Sequence, residues 1–179
     1  MKIYKTNEIK NIALLGSKGS GKTTLAESML FECGVIKRRG TIDQKNTVSD
    51  YFPVEKEYGY SVFSTVFYAE FLNKKLNVID CPGADFVGSA VTALNMTDTG
   101  LIVVNAQYGV EVGTQNIFRT ATGLNKPIIF ALNQLDGEKA DYDNVMEQMR
   151  EHFGSHIVAI QYPIACGEGF NAMIDVLLM

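Results

Sequence analysis

The chain has 179 residues, enough for one domain with its own core. Its hydrophobic fraction of 46% and charged fraction of 20% exclude a disordered chain, and no apolar run is long enough to span a membrane. A net charge of −4 argues against a domain that grips nucleic acid by itself. Residues 1–10 are polar and show no signal-peptide pattern. Cys33, Cys81 and Cys166 stand apart without metal-ligand spacing, so free thiols and a reduced, cytoplasmic setting are expected.

Apolar runs and helical patterns then alternate along the chain. Residues 11–15 read as a short buried strand ended by Gly16. A helix is predicted over 22–33, with Leu25, Met29 and Cys33 recurring at i+4 and Gly34 as its stop. Residues 35–57 hold no periodicity and predict a long, mobile loop, a length that inside a compact domain points to function. A strand over 60–71 turns at Asn73-Lys74-Lys75 into a second strand over 76–80. Helix 85–97, strand 101–105, helix 113–124, strand 127–133, helix 141–153 and strand 156–163 follow. The pattern predicts an α/β fold: a mostly parallel sheet covered on both faces, with one antiparallel edge strand from the hairpin. The apolar stretch 173–179 has no stop signal after it, so a fragment of a longer protein is expected.

Three short motifs carry the chemistry. Gly16-Ser17-Lys18-Gly19-Ser20-Gly21-Lys22-Thr23 is G-x-x-x-x-G-K-[ST], placed between a predicted strand and a predicted helix as a phosphate loop requires. Its glycines let backbone N–H groups converge on a phosphate, and the helix N-terminus adds its dipole. Lys22 is expected to be solvent-accessible and to reach the β- and γ-phosphates. The Thr23 hydroxyl is expected to bind Mg²⁺, and Thr24 is counted with the nucleotide-binding residues. Asp80-Cys81-Pro82-Gly83 ends an apolar strand: Asp80 can hold Mg²⁺ through water, and the Gly83 N–H can sense the γ-phosphate. Alone it also reads as an ordinary turn. Asn133-Gln134-Leu135-Asp136 ends another strand. The Asp136 carboxylate can accept two N–H groups of guanine, a pairing adenine cannot offer, and Asn133 would tie the base loop to the phosphate loop. Alone this too reads as a surface turn.

In this order the motifs resemble a translational GTPase, with the fold of a P-loop NTPase three-layer sandwich. Residues 107–115 and 164–170 make the match closest to elongation factor G, as a divergent paralogue. The resemblance implies a GTP-binding domain over 1–179, incomplete at its C-terminal end, with an inserted subdomain beginning in 164–179. It also implies GTP and GDP with Mg²⁺ as ligands, the ribosome as the partner of the full-length protein, and GTP hydrolysis. Gly59-Tyr60-Ser61 falls where the family carries its first switch motif, usually Gly-x-Thr, so Ser61 is a further candidate Mg²⁺ ligand. Four departures stand out. Ala84 replaces the His that positions the attacking water, and the segment to Asp85-Phe86 is shorter by a residue, which should displace Asp85. Gly19 replaces an Asp thought to help bind a monovalent cation. Gln134 replaces the Lys whose stem covers guanine. The final guanine-contacting Ser-Ala motif is missing, since Ser89-Ala90 lies in a predicted helix. No catalytic residue is assigned with security beyond the charge of Lys22, and hydrolysis is expected to be weak. A GTP-binding ribosome factor with little hydrolysis and a ribosomal protection protein remain alternatives. An ATPase or small-molecule kinase is disfavoured by Asp136. His152 and His156 are expected on the surface.

Overall fold

A computed structural model of the chain describes residues 3–178. Met1, Lys2 and Met179, the ends of the predicted polar N-terminal segment and of the C-terminal apolar stretch, lie outside these residues. The elements in chain order are β1 (Ile9–Gly16), α1 (Lys22–Glu32), α2 (Pro53–Tyr58), β2 (Thr65–Phe71), β3 (Lys74–Asp80) and α3 (Val87–Met96). They continue with β4 (Thr99–Asn105), α4 (Val112–Gly123), β5 (Ile128–Asn133), α5 (Tyr142–Phe153), β6 (Gln161–Pro163) and β7 (Met173–Asp175).

Five strands form one sheet in the order β2-β3-β1-β4-β5, and only the edge strand β2 runs antiparallel. Alternation along the strands divides the core. Ala13, Leu15, Ile102 and Val104 face α3, α4 and α5, whereas Leu14, Val78 and Val103 face α1. Helices therefore cover both faces, as the alternating pattern predicts. Phe118 of α4, Phe130 of β5 and Phe153 of α5 stack with ring centroids 4.5–5.9 Å apart and fix that corner. Asp141 caps α5 by accepting from the Asn144 N–H at 3.0 Å. The β2–β3 hairpin turns at Leu72-Asn73, one residue earlier than the sequence suggests. Both residues have positive φ, 45° and 60°, the geometry that matches strand twist in a two-residue loop.

Three readings change. The predicted strand over 156–163 shrinks to β6, which leaves the main sheet and pairs with β7 in a separate two-stranded sheet. Its apolar look was misleading, because Val158 and Ile160 are exposed. In α1 the recurring Leu25 and Met29 pack half-buried against the core, while the fully buried positions are Lys22, Thr23, Ala26, Glu27 and Leu30. Finally, the unstructured stretch after α1 ends in a short helix, α2, and the run over 60–64 precedes rather than joins β2.

Two buried carboxylates explain how that stretch is held. Glu27, on the inner face of α1, accepts from the Gly40 N–H at 2.8 Å and from the Val48 N–H. Glu55, in the first turn of α2, accepts from the Val62 and Phe63 N–H groups, both at 3.0 Å, and from the Phe52 N–H at 3.2 Å. Residues 40–63 thus form a strap pinned to α1 through Glu27 and folded onto itself through Glu55, and Thr65 of β2 donates its hydroxyl to the Ser49 carbonyl at 3.0 Å. Among the described residues no helix is long and apolar enough to cross a membrane.

Glu27→Ala would leave two backbone donors without their acceptor, at a cost of about 2–4 kcal/mol. Urea unfolding should show that loss, and limited proteolysis should find new cleavage within 40–52; an unchanged midpoint and cleavage pattern would refute the pinning role.

Candidate functional site

Parallel pairing brings the ends of β1, β3, β4 and β5 to one edge of the sheet, with Leu14 opposite Asp80, Gly16 opposite Val103, and Asn105 opposite Asn133. All three motifs therefore meet where strands end, the usual position of a ligand in an open α/β sheet.

The phosphate loop runs from Gly16 to Gly21, and Lys22 opens α1. Gly21 takes a left-handed φ of 92°, and a Cβ there would collide with the Asn133 side-chain amide, so glycine is required twice over. Lys22 is not accessible as expected but only 7% exposed. Its ammonium donates to the Gly16 and Ser17 carbonyls at 3.1 and 2.9 Å. Burial lowers its pKa, and the nearby Asp80 opposes that shift. Ser17 Oγ meets Thr114 Oγ1 of α4 at 3.3 Å, tying the loop to the helix layer. Ser20 Oγ is buried without a hydrogen-bond partner. Thr24 stands exposed on the first turn of α1. Lys18 and Gly19 are exposed on the crest of the loop, and the Lys18 Nζ lies 3.6 Å from the Tyr60 ring centroid.

The second and first-switch motifs join beneath the strap. Thr23 Oγ1 donates to Asp80 Oδ2 at 3.1 Å, and Ser61 Oγ donates to Asp50 Oδ1 at 2.6 Å. The two hydroxyl oxygens lie 3.2 Å apart. That spacing is a hydrogen bond in which either hydroxyl can donate, and it links the strap to the first turn of α1. Asp80 Oδ1 and Asp50 Oδ2 are buried with no partner beside them. Burial pushes Asp80 up to about 6, against the pull of Lys22 and of hydroxyl donors. Burial raises Asp50 as well, opposed by its bond from Ser61. An oxygen-only donor set with unused carboxylate lone pairs suits a hard divalent cation such as Mg²⁺. Among the described residues no group of three or more His, Cys, Asp or Glu side chains forms a protein-only cage. Mg²⁺ commonly takes just one or two carboxylates and shares substrate phosphates, so its chemistry fits this donor set.

A cleft opens above this cluster between the phosphate loop and the strap, lined by Lys18, Lys22, Tyr60, Ser61, Gly83 and Phe86 among others. Asp85, expected to be displaced, also lies on the cleft wall. Ala84 does not line it: the methyl packs into the core under α4, so tightly that a Cβ on Gly113 would fall 2.5 Å from it.

The Asn133–Asp136 motif sits alongside. The Asn133 side-chain amide donates to the Ser20 carbonyl at 2.9 Å, joining base loop to phosphate loop. Gln134, with a φ of 59°, donates through Nε2 to the Gly19 carbonyl at 3.0 Å and accepts from Asn105 Nδ2 at 2.7 Å. Leu135 is buried and its carbonyl accepts from the Gly167 N–H at 2.8 Å, while Asp136 is exposed. His152 and His156 are exposed, and the three cysteines are free.

Sequence reasoning missed Asp50, Glu27, Glu55 and Asn105. None left a legible signal: hydropathy assigns Glu27 to the solvent face of its helix, and Asp50 gains its position from the path of the strap, which no periodicity encodes.

A family profile described as "Elongation factor Tu GTP binding domain" matches residues 7–177. An elongation factor G-like protein of Thermotoga maritima is 36% identical over 94% of this chain and 24% of its own length. Elongation factor G of Petrotoga mobilis is 31% identical over 99% of this chain and 26% of its own. The mitochondrial ribosome-releasing factor 2 of Candida dubliniensis is 31% identical over 89% and 20%. A crystal structure of a Thermus thermophilus protein superposes with a TM-score of 0.89 at 35% identity, covering 94% of this chain and 26% of that one. The chain thus spans about a quarter of the length of these relatives. The chain belongs to the elongation factor Tu GTP-binding domain family, as an elongation factor G-like, translational GTPase domain.

Proposed function

We propose that this domain is a guanine-nucleotide switch of a ribosome-acting factor, that it binds GTP and GDP with Mg²⁺, and that its own hydrolysis of GTP is slow. The observation carrying this reading is the Asn133–Ser20 bond, which holds the Asn133–Asp136 loop and the phosphate loop at one fixed spacing. A guanine whose N1–H and N2–H are accepted by Asp136 would then direct its phosphates toward Gly16–Thr23. The loop N–H groups and the start of α1 would hold the diphosphate. Lys22 would turn from its carbonyl partners to the outer phosphates, a movement its desolvated ammonium favours once an anion is near. Gln134 is bonded at both ends of its amide, so its short stem is held over the loop rather than free to follow the base.

Thr23 and Ser61 would hold Mg²⁺ through their hydroxyls, with Asp80 and Asp50 behind them. When bound, the ion neutralises charge developing on the phosphates. Ser61 belongs to the strap, so its hold on the cluster couples the γ-phosphate end of the site to residues 40–63. Release of the terminal phosphate would free that coupling, the order–disorder logic of a GTPase switch.

Slow hydrolysis follows from Ala84. Its methyl is committed to the core, and a methyl neither donates nor accepts a hydrogen bond to a water. Asp85 on the cleft wall carries a charge that repels phosphate. By the sequence resemblance the ribosome is the partner, and a factor that acts by GTP binding alone is the second reading that Ala84 favours.

Three outcomes are expected. Titration with fluorescent GDP and ADP should show guanine preference, and Asp136→Asn should weaken GDP binding by about 10²-fold, the worth of two charge-assisted hydrogen bonds. Equal affinity for GDP and ADP would end the guanine assignment.

A second outcome concerns pH. The folded-state pKa of Asp80, about 6, lies above an unfolded value near 4. The contribution of Asp80 to stability is therefore complete below pH 4 and is lost as pH rises through about 6. Without Mg²⁺ or nucleotide, Asp80→Asn should gain stability relative to the unsubstituted chain by about 2–3 kcal/mol between pH 4 and pH 7. Urea denaturation across that range is the measurement, and a pH-independent difference would contradict it.

For hydrolysis, losing one positioned water-orienting group costs about 10²–10⁴-fold. Single-turnover assays of the full-length factor, with and without ribosomes, should give a rate below that of elongation factor G from Petrotoga mobilis by that order; an equal rate would mean that another group places the water.

A further inference from the structure

The phosphate loop carries a second lysine. Lys18 lies on its exposed crest, and its backbone is backed by Gly83: a Cβ on Gly83 would stand 3.2 Å from the Lys18 nitrogen and 3.3 Å from its Cα. The Lys18 ammonium rests on the Tyr60 ring, 3.6 Å from the centroid, and both residues line the cleft. Tyr60 in turn precedes Ser61, whose hydroxyl meets Thr23 and Asp50. The pair therefore bridges phosphate loop and strap within the cleft lining. Gly83, whose N–H can sense a γ-phosphate, lies against the Lys18 backbone, so the pair stands at that residue's part of the cleft lining.

We propose that Lys18 is a second phosphate-binding cation, seated on the Tyr60 ring so that it meets the terminal phosphate of GTP and sets the preference of the cleft for triphosphate over diphosphate. This rests on the guanine-nucleotide reading above. The ring face occupies one side of the ammonium and leaves its charge uncancelled, because an aromatic quadrupole carries no net charge. Lys22 is engaged by two carbonyls deep in the loop, whereas Lys18 is exposed and needs no rearrangement of the core to move. A contact from a full charge to phosphate outweighs the cation–π contact, so the phosphate draws the ammonium while the ring keeps it in place. Tyr60 then senses the terminal phosphate through Lys18, and the strap closes over a triphosphate more firmly than over a diphosphate.

The test compares GTP and GDP affinities of the chain and its variants by equilibrium titration. Lys18→Met should weaken GTP about tenfold or more, the worth of one charge-assisted contact, and GDP less than about twofold. Lys18→Arg and Tyr60→Phe should keep the GTP-to-GDP ratio, and Tyr60→Leu should lower it. As an independent readout, the Lys18 side-chain methylene protons should be shifted upfield in NMR spectra by the Tyr60 ring current. The shift should vanish in Tyr60→Leu, and it should change on adding GTP but not GDP. Lys18 is exposed, so folding is not at stake in its variants. If Lys18→Met lowers both affinities equally, or neither, the proposal is overturned while the guanine reading stands. If the unsubstituted chain binds no guanine nucleotide, both fall together.

Discussion

Strand β1 is hydrogen-bonded in parallel on both sides, to β3 and to β4, and that constraint governs the molecule. A strand locked from two sides cannot slip by one residue without turning Ala13 and Leu15 to the α1 face and Leu14 away from it. Register, core and site are therefore one decision. The same pairing that buries Leu14 sets Asp80 opposite it, within hydrogen-bond reach of Thr23. The pairing of β4 with β5 then carries Asn133 to the same edge, within reach of the Ser20 carbonyl.

Burial at this edge has a cost. Lys22, Asp50 and Asp80 are all nearly withdrawn from water, and each is pushed toward its neutral form by that withdrawal. They are close enough to offset one another, yet Asp50 and Asp80 keep oxygens without partners. Desolvated charge with unmet hydrogen-bond capacity destabilises a fold unless a ligand completes it. The edge thus carries hydrogen-bonding capacity that the chain's own groups leave unmet.

How much of this was legible divides along a physical line. Local signals worked: the strand–loop–helix around Gly16–Thr23, the alternation of elements, the edge hairpin, and Asn133 as a link to the phosphate loop. What failed depended on contacts far apart in the chain. The 22–33 helix was legible, but not its buried stripe, because the stripe contains Lys22, Thr23 and Glu27, polar residues that hydropathy assigns to solvent. Asp50 reaches the metal-competent cluster only because Glu27 and Glu55 steer the strap there. Lys18 and Tyr60 meet from opposite sides of α1 and the strap in sequence, and neither residue type announces the other. The run over 156–163 failed in the opposite direction: its composition suits a strand, but only Gln161–Pro163 of it pairs in a sheet among the described residues.

The Gly40–Val48 segment begins and ends on one carboxylate, that of Glu27, while the Thr41 N–H donates to the Asn46 side chain and closes the segment from within. A loop fastened at two points by two different groups can fray from either end. One fastened at both ends by a single bolt cannot: whatever withdraws Glu27, such as a turn of α1 about its axis, releases both ends in the same instant. The strap is therefore built to respond in steps rather than by degrees, and Ile42, enclosed between the two fastenings and part of the cleft lining, leaves the cleft when it opens.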